Sequence, residues 1–151
     1  MKNFQIITSL FSILIFTQMA EAQKKQSINL YDYQWKNRLI LLFAESEDNG
    51  AYQQQMQYLD LQQSGLEDRD LLVFSFFADG TGKLEGKPML EQDVLRIRNK
   101  YKVGDEAQLL ILIGKDGGEK MRKDLPVQLM QVFGLIDQMP MRQREMRDKK
   151  Y

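Results

Sequence analysis

Three continuous apolar runs dominate the hydrophobic pattern of the chain, and stretches of mixed polarity separate them. Each run has the length of a strand, and uninterrupted apolar character is typical of strands that are covered on both faces of a sheet. Between the runs, apolar residues recur at helical spacing in two segments. The pattern therefore predicts strands at residues 39–44, 71–77 and 109–113, and helices at residues 51–63 and 91–101.

The last third of the chain predicts a hairpin followed by a helix. The phrase GKDGGEKMRK predicts a tight turn at residues 116–118 and then a polar strand, in which Met121 is the single apolar residue, as at an exposed sheet edge. A final helix is predicted to run to Gln138, with Pro126 in its first turn, where a missing N–H has no cost. Residues 141–151 follow as a charged C-terminal tail.

The N-terminus has the pattern of a secretory signal. Lys2 precedes an apolar run at residues 6–17, and Ala20-Glu21-Ala22 supplies the small-x-small site of a signal peptidase. The run is too short to cross about 30 Å of hydrocarbon, so no stable membrane anchor is expected. We predict a signal peptide at residues 1–22 with cleavage after Ala22, and a periplasmic or extracellular location.

The mature chain is predicted to be one domain with short extensions. The polar residues 23–27 predict a flexible N-terminus, and residues 28–140 are long enough for one hydrophobic core. Residues 28–35 fit either a short edge strand or a segment tucked against the sheet. The predicted order is strand, helix, strand, helix, strand, hairpin and helix. This order indicates an α/β protein, a three-layer α/β/α fold with a small mixed central sheet, and it is the order of a thioredoxin core.

Composition excludes several chemistries. The chain has no Cys, which excludes thiol oxidoreductase and peroxiredoxin activity, and it has no His, the commonest general base. Lys and Arg number 21, as do Asp and Glu, so the neutral chain argues against a nucleic-acid partner. The sequence predicts no cofactor and no metal site.

Four phrases in order resemble the P-DUDES family, a group of bacterial secreted domains of unknown function. They are LYDYQWKNRLILLFA, DRDLLVF, LLILIGKDGGEKMR and LIDQMPMRQREM, and they extend over residues 28–146. The family is related to a domain in animal sushi-repeat and DRO1/URB extracellular proteins. The resemblance implies a thioredoxin-like fold and an unknown envelope or extracellular partner, or a small ligand, but no established activity.

The junction after the first strand can be aligned with the thioredoxin pattern. In that broader family the strand leads into a Cys-x-x-Cys motif at a helix start, and here Glu47 and Gly50 occupy the two cysteine positions. A proline in the cis conformation is also expected just before the third long strand, and the corresponding phrase GDEAQLL contains none. The resemblance therefore implies a retained scaffold without thiol chemistry.

Two clusters are candidate functional residues. Carboxylates at the start of the first helix, Glu45, Glu47 and Asp48, fit a divalent-cation or acid–base site, but the favoured interpretation is helix capping by Asp48 or Asn49. The phrase DGTGKLEG fits a flexible connector, or a binding loop at the carboxyl end of the second strand. The predicted partner or ligand surface combines both clusters: Glu45, Glu47, Asp48, Asn49, Asp79, Gly80, Thr81, Gly82 and Lys83.

Other polar and aromatic groups favour structural interpretations. Arg142 and Arg144 in the tail fit an anionic partner, although solvation is favoured. The aromatic residues Tyr31, Tyr33 and Trp35 are expected to pack against the sheet edge rather than to form a contact patch. The glutamines of residues 53–57 are expected on the solvated side of their helix. The favoured function is a non-catalytic binding domain, and the alternative is a carboxylate- or divalent-metal-dependent envelope enzyme.

Overall fold

A six-stranded mixed sheet forms the centre of the protein. The structure is a computed structural model that describes residues 24–149, so the predicted signal peptide lies outside the described residues. The strands are β1 (Arg38–Ala44), β2 (Leu71–Phe77), β3 (Gly82–Leu84), β4 (Lys87–Pro88), β5 (Leu109–Ile113) and β6 (Glu119–Asp124). Their spatial order is β4-β3-β2-β1-β5-β6. β1 and β2 are parallel, and the other neighbouring strands are antiparallel.

Five α-helices cover the sheet. They are α1 (Gly50–Asp60), α2 (Gln63–Asp68), α3 (Glu91–Lys100), α4 (Leu129–Asp137) and α5 (Pro140–Asp148). The three predicted apolar strands, the polar edge strand and the helix at α3 are confirmed to within one residue. The helix predicted for residues 51–63 is shorter, and α2, β3, β4 and α5 are additions. Among residues 24–149, no helix combines the length and apolar character needed to cross a bilayer.

The apolar runs are covered on both faces, as predicted. In β1, Ile40 and Leu42 point to the core beneath α1, α2 and α4, whereas Leu41 and Phe43 point to the core beneath α3. All four side chains are fully buried. Continuous apolarity therefore reflects a central strand between two helical layers, and the three-layer α/β/α prediction is confirmed.

The N-terminal segment is tucked against the α3 face. Ile28 and Leu30 are buried, and the carboxylate of Asp93 accepts a hydrogen bond from the Ile28 N–H at 2.8 Å. Gln26 pairs with Met89 through a parallel bridge. The tucked alternative is therefore confirmed for residues 28–35, and the predicted flexible stretch 23–27 is wrong at Gln26, because backbone hydrogen bonds attach it.

The last core helix begins later than predicted. Gln128 is the N-cap of α4, and Pro126 lies before the helix, after a cis Leu125–Pro126 peptide bond. Leu125 and Val127 are buried in the α1 and α4 core. Both residues are thus held in the core before the helix begins at Leu129, so the placement of Pro126 in its first turn is wrong. The cis bond follows β6, whereas the position before β5 has no proline, as expected.

The charged tail is a packed helix rather than a solvated extension. Arg142 in α5 is 2% exposed, and its guanidinium binds the carboxylates of Asp68 and Asp137. Arg38, 1% exposed at the start of β1, donates two hydrogen bonds to Glu145 at 3.1 and 3.2 Å. The prediction of a solvated tail from residue 141 is wrong for α5, because Arg142 and Glu145 are buried or half-buried and paired with residues of α2, α4 and β1.

Ion pairing lowers the pKa of two carboxyls, Glu145 of α5 and Asp137 of α4. Burial acts to raise the pKa of Glu145, but hydrogen bonds and charge from Lys115 and Arg38 outweigh it and hold that pKa below its ordinary value. Burial likewise opposes a lowered pKa at Asp137, and hydrogen bonding to Arg69 is the largest contribution that overcomes it. Both carboxylates are therefore stabilised in the folded chain.

Stability should fall in acid because of these pairs. Since the folded-state pKa values lie below the unfolded ones, the stabilisation is complete above the ordinary carboxyl pKa and is lost as pH falls through the folded values. We expect the free energy of unfolding to decrease below pH 4.5, the ordinary pKa of Glu. Urea unfolding at a series of pH values measures this. Glu145→Gln should show a smaller decrease, and an equal decrease would contradict a role for Glu145.

Candidate functional site

The junction after β1 is a capped helix start. Asn49 is the N-cap of α1, and its Oδ1 accepts hydrogen bonds from the N–H groups of Ala51 and Tyr52, both at 3.1 Å. Glu45 and Asp48 are exposed beside it. The predicted capping by Asp48 or Asn49 is thus confirmed at Asn49, which leaves the neighbouring carboxylates free of that role.

The second candidate cluster is an ordered turn and strand. Asp79 accepts hydrogen bonds from the Thr81 hydroxyl at 2.6 Å and the Thr81 N–H at 2.8 Å, and these bonds lower the pKa of Asp79. Gly80 has a φ of +83°. A Cβ at Gly82 would lie 2.7 Å from the Ser75 carbonyl oxygen, because β3 passes close to β2 there. Residues 82–84 are therefore a strand of the sheet rather than part of the predicted connector.

One ion pair joins the two clusters. The Lys83 Nζ contacts Glu47 Oε1, and both side chains are about half exposed. The pair therefore positions these side chains without adding much stability. The structure brings Glu47 and Lys83 together, whereas Asp79 and Thr81 bind each other in the turn and Gly80 and Gly82 are buried.

A groove of about 410 Å³ begins at this ion pair. It runs between α1 and α2 on one side and β2 with the β3–β4 turn on the other. Its acidic residues outnumber its single cation. We call it the acidic groove, and its lining residues are Glu47, Tyr52, Met56, Leu59, Asp60, Gln63, Leu66, Glu67, Leu71, Leu72, Val73, Ser75, Lys83, Glu85 and Gly86.

A buried hydroxyl pair forms part of the groove wall. The Tyr52 hydroxyl and Ser75 Oγ are 2.9 Å apart. Burial raises the pKa of Tyr52, so its hydroxyl is protonated at neutral pH. Sequence reasoning missed Ser75, although a lone hydroxyl in the otherwise apolar run LLVFSFF is a signal for a buried polar contact.

The described residues of the groove form no metal centre. Within residues 24–149, no group of three or more His, Cys, Asp or Glu side chains is placed to hold a metal ion. Of the groove carboxylates, Glu47 is paired with Lys83, and Glu85 accepts the Val73 N–H at 2.7 Å. What remains is an acidic surface that suits cationic groups.

The prediction that Tyr31, Tyr33 and Trp35 pack against the sheet edge is confirmed at Tyr33 only. Tyr33 packs edge-on against Phe74, as expected. Tyr31 and Trp35 are 68% and 63% exposed. They do not pack against the sheet edge: the Lys100 Nζ lies 4.6 Å from the centroid of the Tyr31 ring, and Trp35 lines a cavity where β1 begins.

Comparisons with known proteins give a family and a fold. A family model described as a domain of unknown function, DUF4174, matches residues 29–145. The chain is 32% identical over 130 residues to coiled-coil domain-containing protein 80 of Danio rerio, covering 76% of this chain and 15% of that protein. It is 29% identical over 114 residues to sushi repeat-containing protein SRPX of Rattus norvegicus, covering 74% of this chain and 25% of that protein. The chain thus spans a quarter or less of these relatives.

Two solved structures resemble the chain in fold. The reduced 2-Cys peroxiredoxin of Plasmodium vivax has a TM-score of 0.59 at 13% identity, covering 78% of this chain and 72% of that one. Thioredoxin peroxidase I of Plasmodium yoelii has a TM-score of 0.57 at 14% identity, covering 78% of this chain and 80% of that one. The fold is thioredoxin-like, and the chain belongs to the DUF4174 family of domains of unknown function.

Proposed function

We propose that this protein is a secreted, non-catalytic binding domain of the P-DUDES type, exported by its N-terminal signal to the periplasm or the cell exterior. The signal pattern supports export. The absence of Cys removes the chemistry of its peroxiredoxin fold neighbours, which are similar in fold only. A retained scaffold with an open groove supports binding rather than catalysis.

The acidic groove carries the proposal. Its two ends differ in character. At one end Glu47 is neutralised by Lys83, and at the other Asp60 and Glu67 are exposed. No hydrogen bond or ion pair within the described chain involves the side chain of either of these two acids. A partner segment with Lys or Arg side chains suits this distribution, because complementary charge directs association and suppresses wrong partners.

The enzyme alternative has no comparable support. Glu45 and Asp48 do not line the groove, and Asp79 is held by Thr81. The candidate acids therefore do not converge on one cavity, as a carboxylate pair or a divalent-cation site requires.

Charge reversal in the groove tests the binding role. The double variant Asp60→Lys/Glu67→Lys should reduce recovery of envelope proteins on immobilised protein at least about tenfold, because like charges in an interface cost several kcal/mol. Thermal unfolding should be unchanged, since both residues are exposed. Recovery is measured by quantitative mass spectrometry against beads without protein.

A matched variant controls for net charge. Glu106→Lys/Asp148→Lys changes the charge equally at exposed positions outside the groove and should leave recovery unchanged. Equal losses in both variants would show that bulk charge, rather than the groove, determines recovery. If the wild-type protein recovers nothing above the bead control, the binding role itself is wrong.

A further inference from the structure

A second cavity shares no lining residue with the acidic groove. It has a volume of about 400 Å³ and sits where β1 begins and β5 ends. We call it the Trp35 cavity, and its lining residues are Trp35, Arg38, Gly114, Lys115, Asp116, Lys120, Met139, Pro140, Met141 and Arg144. Cations and apolar groups therefore share one wall.

The Trp35 backbone is held in place, and the indole is exposed. The backbone N–H of Trp35 donates to the Lys115 carbonyl oxygen at 2.6 Å, and Gln34 Nε2 donates to the Asp116 carbonyl oxygen at 2.8 Å. The Trp35 backbone has a φ of +65°, a conformation that bulky residues rarely adopt. An exposed indole in a cavity that Met139 and Met141 also line offers a flat apolar surface for a ligand.

The cations of the cavity are unequally neutralised. Lys120 pairs with Asp116 at 2.6 Å, and Lys115 pairs with Glu145 at 2.8 Å, the same carboxylate that binds Arg38. Arg144 is exposed, and no hydrogen bond or ion pair within residues 24–149 involves its side chain. The wall therefore has an unneutralised guanidinium, which suits a carboxylate or phosphate oxyanion.

The start of α5 contributes backbone donors to the same wall. Met139 is the N-cap and makes no side-chain capping bond, Pro140 follows, and the first turn contains no acidic residue. The first N–H groups of a helix have no intrahelical acceptor, and the helix dipole makes this end positive. Both effects favour an oxyanion at Met141, next to Arg144.

A buried donor in the wall also lacks an acceptor. Arg38 is 1% exposed, and its Nε is buried without a hydrogen-bond partner among the described residues. Its other two guanidinium nitrogens bond to Glu145 and to the Arg69 carbonyl oxygen. Buried donors are normally satisfied, and Arg38 is one of the residues that line the cavity.

We propose that the Trp35 cavity binds a small organic oxyanion, a carboxylate or a sulfate or phosphate monoester carried on a flat apolar group. The oxyanion contacts Arg144 and the N-terminal N–H groups of α5, and the apolar group packs on Trp35. This site is separate from the acidic groove, so each can fail without the other.

Trp35 fluorescence reports the occupancy of the cavity, because Trp35 is the only tryptophan of the chain. We expect phenylacetate or phenyl phosphate to change its emission saturably, with a Kd of roughly 1 mM or below. Benzyl alcohol has the apolar group without the charge and should bind at least about tenfold more weakly. Added NaCl should weaken anion binding. The ratio of the two anions distinguishes a carboxylate from a phosphate ligand, and calorimetry repeats the titration without fluorescence.

Two exposed arginines of α5 provide the variants. Arg144→Gln should weaken anion binding about tenfold, through loss of a charge-assisted hydrogen bond. Arg147→Gln, outside the cavity, should bind as the wild type does. The proposal is overturned if neither anion binds at about 20 mM, if benzyl alcohol binds as tightly as the anions, or if Arg144→Gln has no effect.

Discussion

Gln55→Ala is expected to lower the free energy of unfolding by roughly 2–5 kcal/mol, because it leaves two buried backbone groups unpaired and opens a cavity. Gln55 is fully buried in α1. Its Oε1 accepts the Val127 N–H at 2.6 Å, and its Nε2 donates to the Val127 carbonyl oxygen at 3.2 Å. The Gln55 amide thus satisfies both the N–H and the carbonyl oxygen of the buried residue Val127. The expectation that this glutamine is solvated is wrong.

Two further variants isolate this effect in urea unfolding followed by circular dichroism. Gln57→Ala, exposed on the same helix, should change stability by less than about 0.5 kcal/mol. Gln55→Leu keeps most of the volume but neither hydrogen bond, and it should remain clearly destabilised. A Gln55→Leu protein as stable as the wild type would contradict the role of the amide.

Glu145→Ala is expected to cost roughly 2–4 kcal/mol of folding stability, because breaking a buried ion pair leaves its partner charge unpaired. Arg38 is 1% exposed and bonds to both Glu145 oxygens. Lys115 loses a partner as well, although it retains Asp70 at 2.8 Å. The Glu145 side chain is 21% exposed, so water can enter and soften the loss.

The same helix supplies the control. Asp148→Ala removes an exposed carboxylate and should change stability by less than about 0.5 kcal/mol. The double variant Glu145→Ala/Arg38→Met should recover part of the loss, since no unpaired charge remains. Equal destabilisation by Asp148→Ala and Glu145→Ala would show that the loss comes from removing a negative charge from α5, rather than from breaking the Glu145–Arg38 pair.

The pattern of apolar residues predicts the scaffold because it is a local signal. The runs at β1, β2 and β5 are apolar at every position but Arg38 and Ser75, and this is the signature of strands between two layers. The cap at Asn49 is equally local, since its bonds reach only three residues along the chain. Handedness and connection rules leave few ways to wind the predicted elements, and these rules require no side-chain contact.

The pairing of charges could not be predicted in this way. Arg142 and Asp68 are 74 residues apart, and Glu145 and Arg38 are 107 residues apart. A segment such as MRQREMRDKK has the composition of a solvated tail, and only its docking against α2 and β1 converts it into a packed helix. Likewise, β3 is too short to be recognised from alternation.

The sequence alone therefore determined the three-layer fold, a capped helix start at Asp48 or Asn49, and the lack of cysteine. Each depends on residue type or on neighbours along the chain. Tertiary structure alone decided which polar groups are buried, that Glu47 meets Lys83 at an acidic groove, and that Trp35 stands over a cationic cavity. These features depend on contacts between distant segments, whose geometry is set by the packed sheet and helices rather than by local pattern.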